Sequence, residues 1–161
     1  MSALFADDDV VWIGGRDREN LPTVLEIDTG TGSVLRELRH SSRFGNAVTA
    51  LALSEDGRTL ATGSMDRRIS LWDADTLEPL PGGEFTGHRG NVTGIVFWDG
   101  GETLISSDDA GDVMVWDVSE RRQFARLGGP TDGLRSLEVD TATATLLGTS
   151  EDGYVWTWSL N

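Results

Sequence analysis

The chain has 161 residues, and its 27 acidic side chains outnumber its 13 basic ones, all of them arginine, so that the formal net charge is −14. Binding to nucleic acid or to an anionic membrane surface depends on basic side chains, and this charge therefore argues against both kinds of partner. Cysteine is absent, which excludes disulfides, thiolate metal sites and cysteine nucleophiles.

The amino-terminal residues do not have the pattern of a secretion signal. They lead directly into Asp7, Asp8 and Asp9, without the basic start and the apolar stretch that a signal peptide carries. No apolar run reaches the roughly 20 residues that a membrane-spanning helix needs. We therefore expect a cytoplasmic protein without a membrane segment.

Short β-strands separated by turns are predicted along the chain. In residues 48–53, apolar or small side chains occupy both alternating sets of positions, which is typical of a strand buried on both faces. Turn residues follow at 55–57 (Glu-Asp-Gly) and at 99–101 (Asp-Gly-Gly), where hairpins are expected. No segment has a convincing helical period, so the sequence predicts an all-β chain.

The chain repeats itself. Segments 48–73, 92–117 and 134–159 align without gaps, and their closing tryptophans, Trp72, Trp116 and Trp158, are spaced by 44 and 42 residues. A weaker copy lies upstream, where Ile27-Asp28 corresponds to Trp72-Asp73. Each copy contains three clear strands, and a fourth is predicted at 34–38, 83–86 and 123–127.

These repeats resemble the WD40 β-propeller family over nearly the whole chain, with Gly87-His88, Trp72-Asp73 and Trp116-Asp117 as the matching dipeptides. The resemblance implies a single domain, residues 1–161, of about four blades, each a four-stranded antiparallel sheet. The expected blades are listed by their approximate bounds: 2–39, 46–86, 90–127 and 132–161. The first and last blades are expected to be incomplete, because little of the first inner strand remains and the last outer strand is missing.

The resemblance also implies a hydrogen-bonded tetrad of His, Ser or Thr, Asp and Trp in each blade. The residues that match it are the following: Ser64, Asp66, Trp72, His88, Trp116, Ser150, Asp152 and Trp158. Phe44 and Pro130 stand where His is expected, and Asp108 and Ala110 stand at the Ser and Asp positions of the third copy. We therefore expect no blade to have a complete tetrad, and we interpret His88 as structural.

No catalytic residue, metal site or cofactor is expected. The two histidines, His40 and His88, occupy different repeat positions, and no metal-ligand spacing, nucleophile elbow or phosphate-binding loop is found. The acidic clusters at 7–9 and 108–109 could ligate calcium, but their spacing fits no calcium loop, and solvated turns are the favoured interpretation.

The predicted function is that of a non-enzymatic scaffold for protein–protein interaction. The family resemblance points to the rim formed by the loops before the inner strands and the turns between second and third strands. The candidate partner-binding residues there are the following: Arg43, Phe44, Met65, Arg89, Asn91, Asp109, Arg135 and Glu151. The acidic surface favours a protein or peptide partner with a basic patch.

With about four blades, the sequence allows more than one way of closing the propeller. Two copies could form an eight-bladed ring as a homodimer, or the chain could be the C-terminal part of a larger propeller completed by another segment. In the second case it would serve as a sensor or regulatory module of a signalling protein and be inert alone. A closed four-bladed ring is less favoured.

Overall fold

The computed structural model describes residues 2–6, 9–39 and 47–160, and these form four antiparallel β-sheets. The first sheet contains β1 (Ser2–Phe5), β2 (Val10–Arg16), β3 (Pro22–Asp28) and β4 (Val34–Arg39). The second contains β5 (Val48–Leu53), β6 (Thr59–Ser64), β7 (Arg68–Asp73) and β8 (Pro79–Thr86). The third contains β9 (Val92–Trp98), β10 (Thr103–Asp108), β11 (Val113–Asp117) and β12 (Arg122–Leu127). The fourth contains β13 (Leu134–Asp140), β14 (Thr145–Ser150) and β15 (Val155–Ser159).

Each sheet is a propeller blade whose strands pair with their neighbours in chain order. The blades stack through their first strands, so that β5 contacts β1, β9 contacts β5 and β13 contacts β9. Among the described strands, no extended contact joins the first blade to the fourth. The part of the chain that the structure describes is therefore a row of four blades.

In the described part of the chain three apolar clusters form the core, one at each joint between neighbouring blades. At the first joint Trp12 and Val24 pack against Leu60 and Trp72. The second cluster contains Ile69 and Trp116, and the third contains Ile105 and Leu146. Trp12, in β2, is buried at this joint. Because neighbouring side chains on a strand point to opposite faces, each blade offers one face to the preceding blade and the other to the next.

A glycine makes the close approach of the blades possible at each joint. A Cβ on Gly14 would lie 2.8 Å from Cγ1 of Val48, one on Gly63 would lie 2.9 Å from Cδ1 of Ile95, and one on Gly94 would lie 2.8 Å from the backbone nitrogen of Leu137. These distances are too short for real contacts, so each glycine forms a notch that receives the inner strand of the next blade. We call these positions the glycine notches.

The first blade has a shortened inner strand, as the sequence predicts. It has four strands, although β1 has four residues against six in β5 and seven in β9. The fourth sheet has three strands within the described residues, in agreement with the expected absence of an outer strand. The single helical segment in the described part of the chain is a 3-10 turn at Asp99–Gly101, and no helix there is long and apolar enough to span a membrane.

Candidate functional site

A buried hydrogen-bonded network lies in the third blade. His88 places Nδ1 3.0 Å from Oδ2 of Asp108 and Nε2 2.6 Å from Oγ of Ser106. Ser106 Oγ also accepts a hydrogen bond of 2.7 Å from the indole Nε1 of Trp116. An ionised carboxylate only accepts hydrogen bonds, so the Nδ1 proton of His88 faces Asp108, and in the neutral imidazole Nε2 accepts the proton of the Ser106 hydroxyl. The network joins the loop before β9 to β10 and β11.

This network corrects the expectation that no blade has a complete tetrad. The Trp-binding hydroxyl lies ten residues before the tryptophan, two positions earlier than the sequence alignment assigned it. Thr62 is the corresponding residue in the second blade, where it accepts a 3.0 Å hydrogen bond from Nε1 of Trp72. In the third blade Ser106 takes this position, which frees Asp108 to bind His88.

The fourth blade satisfies its tryptophan in another way. Gly148 stands at the hydroxyl position, and the indole Nε1 of Trp158 donates a 2.6 Å hydrogen bond to the backbone carbonyl of Gly128. The indole nitrogen is thus paired even though no hydroxyl is available at position 148.

Ser64, Asp66, Ser150 and Asp152 are turn residues instead of partners of the tryptophan ring. The Ser64 hydroxyl donates to the Asp66 carboxylate, and the Ser150 hydroxyl donates to that of Asp152. Asp66 and Asp152 also accept hydrogen bonds from backbone amides two residues further along the chain. Their role is to close the turn between the second and third strands, a common use of short polar side chains.

The Asp108 carboxylate is buried and held ionised. Burial raises its pKa, but the hydrogen bonds from His88 and from the backbone amides of Gly90 and Asp112 outweigh this effect and lower the pKa to about 2. Because these donors come from the loop before β9 and from the turn before β11, the carboxylate links both of them to the end of β10.

A second group of charges covers this network at the same end of the blade. Arg89 binds the Asp112 carboxylate with two hydrogen bonds of 2.8 Å, and Arg126 binds the same carboxylate. The hydrogen bond from Arg89 lowers the pKa of Asp112, although burial opposes it. Asn91 binds the Asp109 carboxylate through its backbone nitrogen at 2.7 Å and its side-chain amide at 2.8 Å.

The same backbone contact recurs at this end of three blades. Met65 N donates to Ala47 O at 3.1 Å and Glu151 N donates to Gly133 O at 3.1 Å. Asp109 N donates to Asn91 O at 3.0 Å in the blade between them. The turn between second and third strands is therefore fixed against the start of the inner strand in each of these blades.

The structure gathers six of the eight candidate partner-binding residues at this end. We call them the loop rim: Met65, Arg89, Asn91, Asp109, Arg135 and Glu151. Met65 is exposed and lines a groove of about 660 Å³ with Ile13, Leu25 and Thr49. Arg43 and Phe44 lie outside the described residues. Binding by these side chains stays a prediction.

Neighbouring rim loops are held together through backbone contacts. A Cβ on Gly133 would lie 2.9 Å from the carbonyl carbon of Asp109, and one on Gly111 would collide with the carbonyl oxygen of Pro130. Both glycines have positive φ, which other residues adopt only with strain. The third and fourth blades therefore present their rim loops at a fixed spacing.

An arginine outside the residues predicted from the sequence joins the first two blades. Arg36 forms an ion pair with Glu26 and lies 5.3 Å from the ring centroid of Trp12. It also donates hydrogen bonds of 2.8 and 2.6 Å to the carbonyl oxygens of Ala74 and Asp75 in the second blade. The one sequence signal for this contact is an arginine in an outer strand paired with a glutamate in the strand before it.

The acidic clusters do not form a metal site in the described part of the chain. No group of three or more His, Asp or Glu residues there is placed to hold a metal ion. The carboxylates of Asp108 and Asp109 bind His88 and Asn91 respectively. Asp7 and Asp8 lie outside the described residues.

Comparisons with known proteins agree with this architecture. The family described as "WD domain, G-beta repeat" matches residues 32–73 and 80–117. The U3 snoRNP-associated protein-like EMB2271 of Arabidopsis thaliana is 35% identical over 98 residues, which are 61% of this chain and 20% of that protein. The target of rapamycin complex subunit LST8 of Saccharomyces cerevisiae is 35% identical over 88 residues, 55% of this chain and 28% of that protein.

Among solved structures, that of U3-55K has a TM-score of 0.76 and 27% sequence identity, and the match covers 95% of this chain and 46% of that one. The chain thus spans less than half the length of these relatives. The repeats, the four meandering sheets and the third-blade network lead to one assignment: the chain belongs to the WD40-repeat family of β-propeller proteins.

Proposed function

We propose that this chain is a non-enzymatic scaffold that binds a protein or peptide partner through its loop rim. The observation that carries this proposal is that rim side chains stand on backbone turns fixed by the same hydrogen bond in three consecutive blades. A rigid array of loops at set spacing is suited to recognition, because the partner need not order the surface that it binds.

The overall charge of the chain, more than that of the loop rim, favours a partner with a basic patch, because the rim carries Arg89 and Arg135 as well as Asp109 and Glu151. Arg89 is already paired with Asp112, whereas Glu151 and Asp132 are exposed at the adjacent end of the fourth blade. The net charge of −14 adds a long-range attraction for cationic surfaces. A cytoplasmic location, where such a complex would form, is part of the proposal.

The names of the relatives support a role inside larger assemblies. One relative is described as associated with a U3 snoRNP and another as a subunit of the target of rapamycin complex. The chain matches only part of each, so we propose that it acts together with further blades. These come either from a second copy, in a homodimer, or from another propeller segment, in which case the chain is a sensor or regulatory module of a larger protein.

The test compares the rim with the opposite end of the strands. Partners are captured on the immobilised chain, identified by mass spectrometry and purified, and their affinities are then measured by calorimetry. We expect the charge reversals Arg135→Glu and Glu151→Arg, at the rim, to change the affinity by at least about tenfold. Glu55→Arg, at the exposed β5–β6 turn, is the matched control and should change the affinity much less, and only through the net charge. Equal effects of all three substitutions would contradict binding at the rim.

A further inference from the structure

The two end faces of the blade row differ in chemistry. The first-blade face, on the side of the sheet opposite Trp12 and Gly14, carries Phe5, Val11, Ile13, Leu25 and Ile27; at its upper end Ile13 and Leu25 also border the groove that Met65 lines. None of these residues belongs to the three apolar clusters found among the described residues, and Phe5 is 74% exposed. The apolar residues end at the outer strand, where Glu37 pairs with Leu25 and forms an ion pair with Arg39. An exposed group of apolar side chains of this kind indicates an interaction surface.

The first-blade face repeats the pattern of the faces that receive a preceding blade. Val11 pairs with Ile27 as Leu60 pairs with Trp72 and Leu104 pairs with Trp116. Leu60 and Leu104 are completely buried against the preceding blade. Val11 thus stands at a position that is buried in the interior joints.

Two polar positions of the interior faces are replaced by isoleucine in the first blade. Ile27 takes the place of the tryptophan, and Ile13 takes the place of the hydroxyl that accepts from it, Thr62 or Ser106. The first-blade face therefore has neither the indole N–H nor its acceptor. An apolar partner surface could cover it without leaving an unpaired polar group, which is the costly outcome at a joint.

The fourth-blade face, turned away from the third blade, does not match it. Ser136 pairs with Thr149 at the register where Ala50 pairs with Gly63 and Gly94 pairs with Ser107. This face therefore has no glycine notch, and the two hydroxyls bind each other at 2.6 Å.

A carboxylate adds to this mismatch. Glu138 pairs with Leu147 at the register where Ala52 pairs with Ala61, so an exposed acidic side chain occupies an apolar joint position. Placing this face against the first-blade face of a second copy would bury Glu138 opposite Val11 and Phe5 without a basic partner. Burying an unpaired charge is strongly unfavourable.

From this mismatch we propose that the first-blade face is the docking surface for a blade of another propeller segment, one that presents a glycine notch and small or aliphatic side chains. The fourth-blade face of a second copy is not its occupant. This inference rests on the proposed function and selects one of its two modes of completion. It depends only on the end faces, so it can fail while partner binding at the loop rim stands.

The experiment uses a second copy with an altered fourth-blade face as the probe. The triple variant Ser136→Ala, Glu138→Ala and Thr149→Gly reproduces the residues of the second blade, Ala50, Ala52 and Gly63. Light scattering on a sizing column should give 17.4 kDa for the unaltered chain and at least twice this mass for the triple variant. Adding Ile13→Glu should return the variant to the monomer mass, whereas adding Phe124→Glu, at an exposed site on β12, should not.

Either of two results would overturn the inference. One is an unaltered chain that is already a dimer and becomes a monomer with Ile13→Glu, since the second copy would then be the occupant. The other is a triple variant that stays monomeric while circular dichroism shows native strand content. If the triple variant does not fold, the double variant Glu138→Ala with Thr149→Gly is used in its place. The inference is then overturned by the same two results, with the double variant in place of the triple one.

Discussion

Both ring nitrogens of His88 form hydrogen bonds, with Ser106 at 2.6 Å and with Asp108 at 3.0 Å. These two contacts fix the imidazole in the third blade. The side chains of His88 and Asp108 are buried, and each polar group in the series of hydrogen bonds from Trp116 through Ser106 and His88 to Asp108 has a partner. Such a network stabilises only while every member is present, because a lost partner leaves a buried polar group unpaired. The structural role expected for His88 agrees with these contacts.

Asp108 makes the stability of the chain depend on pH. Its pKa is about 2 in the folded chain against an ordinary value of 3.8. A lowered pKa contributes stability that is fully present above the unfolded value and is lost as the pH falls through the folded value. The difference corresponds to about 2 kcal/mol.

We therefore expect Asp108→Asn to lower the free energy of unfolding by about 2 kcal/mol at neutral pH. The difference from the unaltered chain should shrink as the pH falls from about 4 towards 2, and urea unfolding at several pH values measures it. Asp132→Asn, in an exposed loop, is the control and should leave the free energy of unfolding unchanged. A difference that does not change over this pH range would show that the ionised carboxylate is not the cause.

At the scale of the element, the strands could be predicted from the sequence but the tetrad register could not. The repeat of Trp72, Trp116 and Trp158 fixed the third strands and so the blades. Ser64 and Ser150 were predicted as tetrad residues because each precedes an Asp by two positions. The observed partner of Trp72 is Thr62, which lies two positions before Ser64 and points to the same face of the strand. That choice depends on strand pairing, which a single sequence does not display.

The first blade was the weakest copy for a related reason. Its tryptophan and hydroxyl positions hold Ile27 and Ile13, so the motif that identifies the other blades is missing there. The contact of Arg36 with Ala74 and Asp75 was also out of reach, because it joins residues 38 and 39 positions apart across two blades.

The glycine notches give a prediction at this scale. Gly63→Ala places a Cβ 2.9 Å from Cδ1 of Ile95, so the third blade must shift or its side chains must leave their favoured rotamers. We expect a loss of roughly 1–3 kcal/mol in the free energy of unfolding, as for other overpacked cores. Gly15→Ala is the matched control, because nothing lies within 4 Å of the added Cβ. An equal effect of both substitutions in thermal unfolding would contradict the notch.

At the scale of the whole molecule, charge and architecture act on different steps of recognition. The joints set the spacing of the loop rim, and the net charge of −14 acts at long range on an approaching partner. Fixed loops should limit how far the rim reorganises on binding, so the rate of dissociation should depend mainly on contacts at the rim. The rate of association should depend on the overall field.

We therefore expect the association rate constant with a basic partner to fall by about tenfold or more when the salt concentration rises from about 0.02 to 0.3 M. The reason is that the Debye length then becomes shorter than the distance over which electrostatic steering acts. Stopped-flow measurement at several salt concentrations gives this rate, and the dissociation rate should change much less. Glu55→Arg changes the net charge as Glu151→Arg does but lies away from the rim, so both should slow association, while only Glu151→Arg should alter dissociation. An association rate that is the same at low and high salt would contradict electrostatic steering by the acidic surface.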